Sequence, residues 1–418
     1  MTDAVTTPAT PSGGRQAGFG FIFALALMNA VSFGIMIPIL PQLVRELAGG
    51  DTAAASEWTV VFAVTWGIMQ FFCGPLLGML SDRIGRRPVL LLSLFGLAAD
   101  FLFMAFAPTL WWLLLGRILN GATAASFSTA SAYLADVTPP ERRAKVFGWM
   151  GSAFSFGFIM GPTIGGFLGQ GDLRVPFLAA AGLTAVNWLY GLFVLPESLP
   201  PEKRATRFDW RRANPLGSLR LLGSRLGLLP LAGVGFLFQF AHTVLPTVFV
   251  LYTTYRYGWD SRTLGLTFLL TGVLGVIVSM FLVGPTVARI GERRMLLLGL
   301  AAGAFGFAWY GWADVGWVYL LAAPVFALTG FIMPGLQGLM TRRVQPHEQG
   351  QLQGANQSLM GIGSIMGPAL FGEAFAWALR GGHPPGLPIY LASGLLAAAL
   401  FLAFAAARAS APAPQPAE

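Results

Sequence analysis

Two ionisable residues stand inside otherwise apolar stretches: Asp100 within Leu97-Ala-Ala-Asp-Phe-Leu102, and Arg117 within Leu115-Gly-Arg-Ile-Leu119. A charge in hydrocarbon costs several kcal/mol, so such a residue is retained for a partner or a function. Asp100 lies seven residues before the end of its apolar block and Arg117 seven residues after the start of the next. At the rise of a helix this places both at one depth, about 10 Å below the surface joining the two blocks. An ion pair, direct or through water, is expected, serving either proton movement or simple neutralisation. Glu373 and His242 are two further titratable groups in apolar surroundings. The first is a second candidate for proton coupling or a solvated rim glutamate. The second titrates near neutral pH or only hydrogen-bonds a neighbour. Asn29, Gln70, Asn120 and Gln239 are neutral polar residues at similar depths, able to touch a substrate or to join helices.

The elements that carry these residues are membrane spans. The chain has 418 residues, of which 55% are hydrophobic and 11% charged, against about 25% charged in a soluble domain. Twelve apolar blocks approach the roughly 20 residues that cross a bilayer as helix: 19–43, 58–80, 88–107, 110–135, 146–169, 176–196, 227–253, 262–284, 293–312, 317–340, 352–379 and 387–407. Such continuous runs exclude a closed β-barrel. The expected class is an all-α membrane protein with twelve transmembrane helices in two pseudo-symmetric six-helix bundles, 19–198 and 226–407. A basic cytoplasmic linker at 199–225 joins them, with a disordered cytoplasmic tail expected at 1–18 and a cytoplasmic tail at 408–418.

With both termini cytoplasmic, 20 of the 26 Lys and Arg residues fall on the cytoplasmic side and five in outer loops, leaving Arg117 alone in a span. The positive-inside rule then sets the orientation. It also accounts for the net charge of +8 without a nucleic-acid partner. The single cysteine, Cys73, excludes a disulfide within the chain. No Walker-type loop and no metal-ligand cluster stands out, so neither cofactor nor metal is expected, and no nucleophile and base pair suggests an enzyme.

A fixed offset of 206 residues superposes the halves. Gly157, Met160, Gly161, Pro162 and Gly166 map onto Gly363, Met366, Gly367, Pro368 and Gly372, and Arg83-Ile-Gly85 onto Arg289-Ile-Gly291. Parallel repeats of this kind place a substrate path between the halves near the midplane.

The loop after the second block reads Gly78-Met-Leu-Ser-Asp82-Arg83-Ile-Gly85-Arg86-Arg87. Gly78 is expected to let two helices approach, Gly85 to permit a tight turn, and Asp82 to pair with an Arg or a helix N-terminus across the boundary between halves. This loop resembles the signature of the major facilitator superfamily. The fifth block carries Gly148, Gly157, Gly161-Pro162 and Gly165-Gly166, a small-residue face with a Pro kink that resembles the motif of the superfamily's drug/proton antiporters.

Further stretches narrow the resemblance to the tetracycline/proton antiporter family: Gly34-Ile-Met-Ile-Pro38-Ile-Leu-Pro41, Met69-Gln-Phe-Phe-Cys73-Gly-Pro75, Gly116-Arg117-Ile-Leu-Asn-Gly121, Ala132-Tyr-Leu-Ala-Asp136, Gly291-Glu-Arg-Arg294 and Gly350-Gln-Leu-Gln-Gly354. The resemblance implies a monomeric exporter of a small amphipathic compound, driven by protons, in a bacterial inner membrane. It carries the family's membrane aspartate onto Asp100 and its membrane arginine onto Arg117. Two acids expected from it are replaced, by Asn29 in the first block and Gly303 in the ninth. Transport of an endogenous metabolite, or a non-transporting sensor on the same fold, are the alternatives. Trp66, Phe238 and Tyr252 are aromatic candidates for contact with the compound.

Overall fold

The computed structural model describes residues 14–204, 228–344 and 349–408, and every long element in them is a helix. The first three spans are Gly14–Leu47, Thr52–Ile84 and Arg86–Phe106. The first helix thus begins inside the stretch expected to be a disordered tail. The fourth span is broken into Leu110–Thr123 and Ser126–Val137. The fifth and sixth are Pro140–Leu168 and Val175–Val194. Of the expected linker, Pro201–Lys203 forms a single 3-10 turn, while 205–225 lie outside the described residues, as do 1–13 and 409–418 of the tails.

The second half opens with a seventh span of two pieces, Leu228–His242 and Val244–Tyr257. Pro246 has no N–H to give to the carbonyl of His242, which accounts for the break there. The eighth span, Ser261–Ile277, runs into a π turn at Val278–Leu282, where Pro285 likewise leaves Phe281 without its helical partner. The ninth lies within Val283–Trp312, separated from the eighth by Gly291 at φ 78°. The tenth is assembled from Gly316–Leu321, Ala323–Ala327, Leu328–Phe331 and Ile332–Thr341, with Pro324 and Pro334 at its interruptions. Gln349–Arg380 and Leu387–Arg408 are the eleventh and twelfth spans and end the described residues.

Among the described residues, ten stretches are long and apolar enough to cross a membrane. One of these, Ser261–Trp312, has 52 residues and holds two spans folded about Gly291. The broken fourth span supplies the remaining one, its pieces of 14 and 12 residues being individually short. The twelve spans therefore stand. Large apolar side chains such as Phe72, Phe193 and Phe401 face outward, as a lipid-facing surface requires.

The halves meet along two seams that mirror one another. Span 5 lies on span 8, where a methyl on Gly166 would run into Ser261 O and come within 2.8 Å of Gly265 Cα. Span 11 lies on span 2, where a methyl on Gly372 would strike Val60 and Ser56 Oγ donates to Gly372 O at 2.8 Å. Further along, Gly272 abuts Ile159 and Gly67 abuts Ile365; the two isoleucines are related by the same offset of 206. Beyond these points Gly74, Gly78, Gly148, Gly151, Gly275 and Gly361 would each accept a methyl without meeting anything within 4 Å. The halves are thus closed at the end carrying residues 42–57 and 372–380 and splayed at the end carrying the basic loops. An ion pair between Glu57 and Arg380 at 2.8 Å and a Ser261 to Gln42 hydrogen bond at 3.0 Å hold the closed end.

Candidate functional site: a buried ion pair on a cavity between the halves

Asp100 and Arg117 meet as their depths require. Asp100 is fully buried and Arg117 6% exposed. Arg117 Nε donates to Asp100 Oδ1 at 3.3 Å, and Nη2 forms an ion pair with Oδ2. Nη2 also approaches Met104 Sδ at 3.8 Å. The two-point contact fixes the guanidinium plane and offsets much of the cost of burying either charge. Gly116 makes the approach feasible, because a methyl there would come within 2.7 Å of Asp100 Oδ1.

Arg117 also lines a cavity of about 290 Å³ between the halves. Its walls are apolar and aromatic, with Phe33, Phe62, Trp66 and Phe158 prominent, and Thr243, Pro246 and Pro368 come from the second half. Trp66 Nε1 donates to Asn120 Oδ1 at 2.7 Å, so Asn120 joins spans 2 and 4 and its carbonyl is already occupied. A larger cavity of about 870 Å³ opens between spans 5 and 8 and includes Ser152, Ser155, His242 and Ser279. His242 is flanked by Phe238, Phe307 and Phe326, and its Nδ1 is buried without a hydrogen-bond partner.

Other candidates lie elsewhere. Glu373 is exposed and belongs to neither cavity wall. Gln239 faces a small pocket within the second half, beside Asn356. Asn29 and Gln70 are half-buried in spans 1 and 2, outside the walls of both cavities. Phe238 and Tyr252 are core residues, the latter donating to Tyr310 O at 3.1 Å. Gly303 is enclosed, with Leu396 and Thr329 within 2.8 Å of where a methyl would stand, so no acid fits there as the helices are packed.

The basic loop departs from expectation in two respects. Gly78 makes no close helix contact here, because the seam is splayed at that level. Asp82 pairs with Arg86 four residues on, within its own half. Arg86 in turn reaches Asp136 at 3.1 Å and Ser81 Oγ at 3.2 Å, and Arg87 donates to Leu192 O at 2.6 Å. Asp82 and Arg83 are exposed.

The acid at the helix N-terminus is instead Glu197, which accepts the backbone N–H of Arg86 at 2.8 Å and of Arg87 at 3.2 Å. Its charge complements the start of span 3. Gly85 has φ 113°, and a methyl on it would collide with the Glu197 carboxylate. Gly85→Ala is therefore expected to destabilise the protein by about 1–3 kcal/mol from backbone strain and to displace Glu197. Thermal unfolding of the purified variant checks this, and an unchanged midpoint would remove Gly85 from the account.

The second half reproduces this anchor with its charges exchanged. Arg342 pairs with Glu292 at 2.8 Å, and these positions are Asp136 and Arg86 advanced by 206. The repeat offset held the signal for this pair, which reading each half separately missed.

In the fifth span, Gly157, Gly161 and Gly165 pack on the backbone of span 1 at Ala30, Val31, Gly34 and Ile35. Gly166 contacts the other half, and Gly148 stands clear. Pro162 lies inside the helix against Gly34.

A bundle of twelve spans in two mirrored halves, with a buried charge pair on a cavity between them, has the architecture of a multi-pass membrane transporter. The sequence profile of the Major Facilitator Superfamily matches residues 22–368, and this chain belongs to that superfamily. It is 38% identical to the class C tetracycline resistance protein of Escherichia coli over 85% of this chain and 89% of that protein. To the class B protein of the same organism it is 35% identical, over 85% and 88%. Among solved structures, the nucleoside transporter NupG, as its D323A mutant, superposes with TM-score 0.75 at 15% identity, covering 93% of this chain and 99% of that one. The human organic anion transporter MFSD10 gives 0.66 at 24%, covering 94% and 100%. These likenesses agree with the fold read from the spans.

Proposed function

We propose that this chain exports a small amphipathic compound across the bacterial inner membrane in exchange for protons, by alternating access. The observation that carries the reading is the Asp100–Arg117 pair standing on an apolar cavity between two halves closed at one end only. A carboxylate couples transport to protons when its surroundings alternate between hydrated and closed, since burial and a neighbouring cation move its pKa in opposite directions. The bundles 19–198 and 226–407 act as the two moving bodies, joined by 199–225, and a monomer suffices because the cavity is complete within one chain. The tetracycline resistance relatives make tetracycline-like compounds the first to test. Export of an endogenous metabolite is the second reading, favoured by Asn29 and the enclosed Gly303, which leave two of the family's acids absent.

Growth inhibition in an efflux-deficient host, across a compound panel and with or without a protonophore, tests the function. Protection abolished by the protonophore supports export driven by protons; no protection by any compound favours the metabolite. Both termini and residues 199–225 belong on the cytoplasmic side. A reporter fused at residue 210 is expected to be active only as a cytoplasmic domain, and periplasmic activity would reverse the orientation.

A further inference from the structure

The inter-half cavity has almost no hydrogen-bond donor left to offer. Thr59, Thr243, Thr247 and Ser364, the hydroxyl residues in its wall, each donate to a carbonyl of their own helix, at 2.8, 2.6, 2.7 and 2.8 Å. The Trp66 N–H is taken by Asn120, leaving its ring as a surface. Among the described residues, Arg117 is the one charged residue in this wall. Its Nε and Nη2 are committed to Asp100, whereas Nη1 makes no hydrogen bond among the described residues. Asp100 stands behind it, fully buried, with both oxygens engaged. The pair therefore presents its positive member, with both N–H groups of Nη1 unused, to an apolar space walled by aromatic rings.

We infer that this cavity selects flat, uncharged amphiphiles that place an acceptor oxygen, such as a ring carbonyl, on Arg117 Nη1, and that it disfavours cations, including organic compounds chelated to a divalent metal. This rests on the exporter reading above and names its substrate class. A cation would meet the positive end of the pair in a space with no exposed carboxylate to receive it. A ligand lacking an acceptor would leave a buried guanidinium N–H unpaired. The same geometry supplies exchange: a neutral ligand that fills the cavity keeps water out and favours the ionised, paired Asp100. Protonating Asp100 leaves Arg117 in need of water, which the ligand must vacate.

The test uses the full-length protein in nanodiscs and three-ring probes of similar size: a neutral anthraquinone alcohol, its carboxylate and trimethylammonium analogues, and the parent hydrocarbon anthracene. The neutral quinone is expected to bind at least tenfold more tightly than the hydrocarbon or the cation, with no difference between Mg²⁺ and EDTA. Arg117→Lys should erase the preference for quinone over hydrocarbon. Leu40→Trp, which fills the cavity without touching a charge, should weaken both and serves as a second variant if Arg117→Lys does not fold. Equal or tighter binding of the cation, a requirement for Mg²⁺, or tighter binding of the carboxylate with proton uptake would each overturn the inference. The expected binding pattern without any ligand-driven proton flux in proteoliposomes would instead sink the exporter reading and leave the site intact.

Discussion

Asp100→Asn is expected to abolish substrate-induced proton release from proteoliposomes while leaving a folded protein in the membrane. Asparagine preserves the shape of the side chain and can still accept from Arg117, but it cannot bind and release a proton. Removing the carboxylate leaves the guanidinium of Arg117, 6% exposed, without its counter-charge. Breaking one side of a buried pair costs about 3–5 kcal/mol, so a lower unfolding midpoint accompanies the lost coupling. Asp100→Asn with Arg117→Gln removes both charges and is expected to recover the midpoint without recovering proton release. That divergence separates coupling from stability, which a single variant confounds. The measurement uses a compound returned by the growth panel, with protein quantity and monodispersity followed in parallel. Wild-type proton release from a monodisperse Asp100→Asn protein would take this residue out of the mechanism. Attention would then pass to His242, whose unpartnered Nδ1 sits at the larger cavity.

What was legible in the sequence follows a physical division. Spans announce themselves by length, because hydrocarbon thickness sets a residue count. The Asp100–Arg117 contact followed from counting two residues down from one shared surface. The repeat offset paired Gly166 with Gly372, and the structure gives the two equivalent contacts on spans 8 and 2, although the offset alone did not say which spans they would meet.

The cavity wall was not legible. Membrane helices are apolar on every face, so no amphipathic stripe tells which side of span 1 or span 7 faces inward. Tyr252 and Phe238, core residues here, looked no different from Trp66, which lines the cavity. Glu197 also went unseen, because the N–H groups it caps are 110 and 111 residues away in sequence. Asp82 and Gly78 have roles that depend on which end of the bundle is closed. A single sequence motif cannot record that.

The closed end can be forced open from one residue. Span 5 touches span 8 at Gly166 through backbone alone: a methyl there would overlap Ser261 O and stand 2.8 Å from Gly265 Cα, and neither is the tip of a side chain that can swing aside. Gly166→Val must therefore either push the spans apart or strain them. Overpacking of this kind costs about 1–3 kcal/mol, and about 1.4 kcal/mol already changes a two-state ratio tenfold. The expected result is a population shift of roughly tenfold toward a form open at this end, with transport reduced because the closed end is no longer readily revisited.

Spin labels on Gln170 and Arg262, both exposed at the ends of these spans, read the separation by pulsed electron resonance. Cys73→Ser provides the background, as Cys73 is the single native cysteine. The distances are expected to lengthen in Gly166→Val. Gly148→Val, on the same helix but at the splayed end, meets nothing within 4 Å, so it should leave the arrangement seen here undisturbed. By obstructing closure of the opposite end, it should slow transport from the other side of the cycle. Unchanged distances together with unchanged transport in Gly166→Val would mean that this glycine contact does not gate the seam.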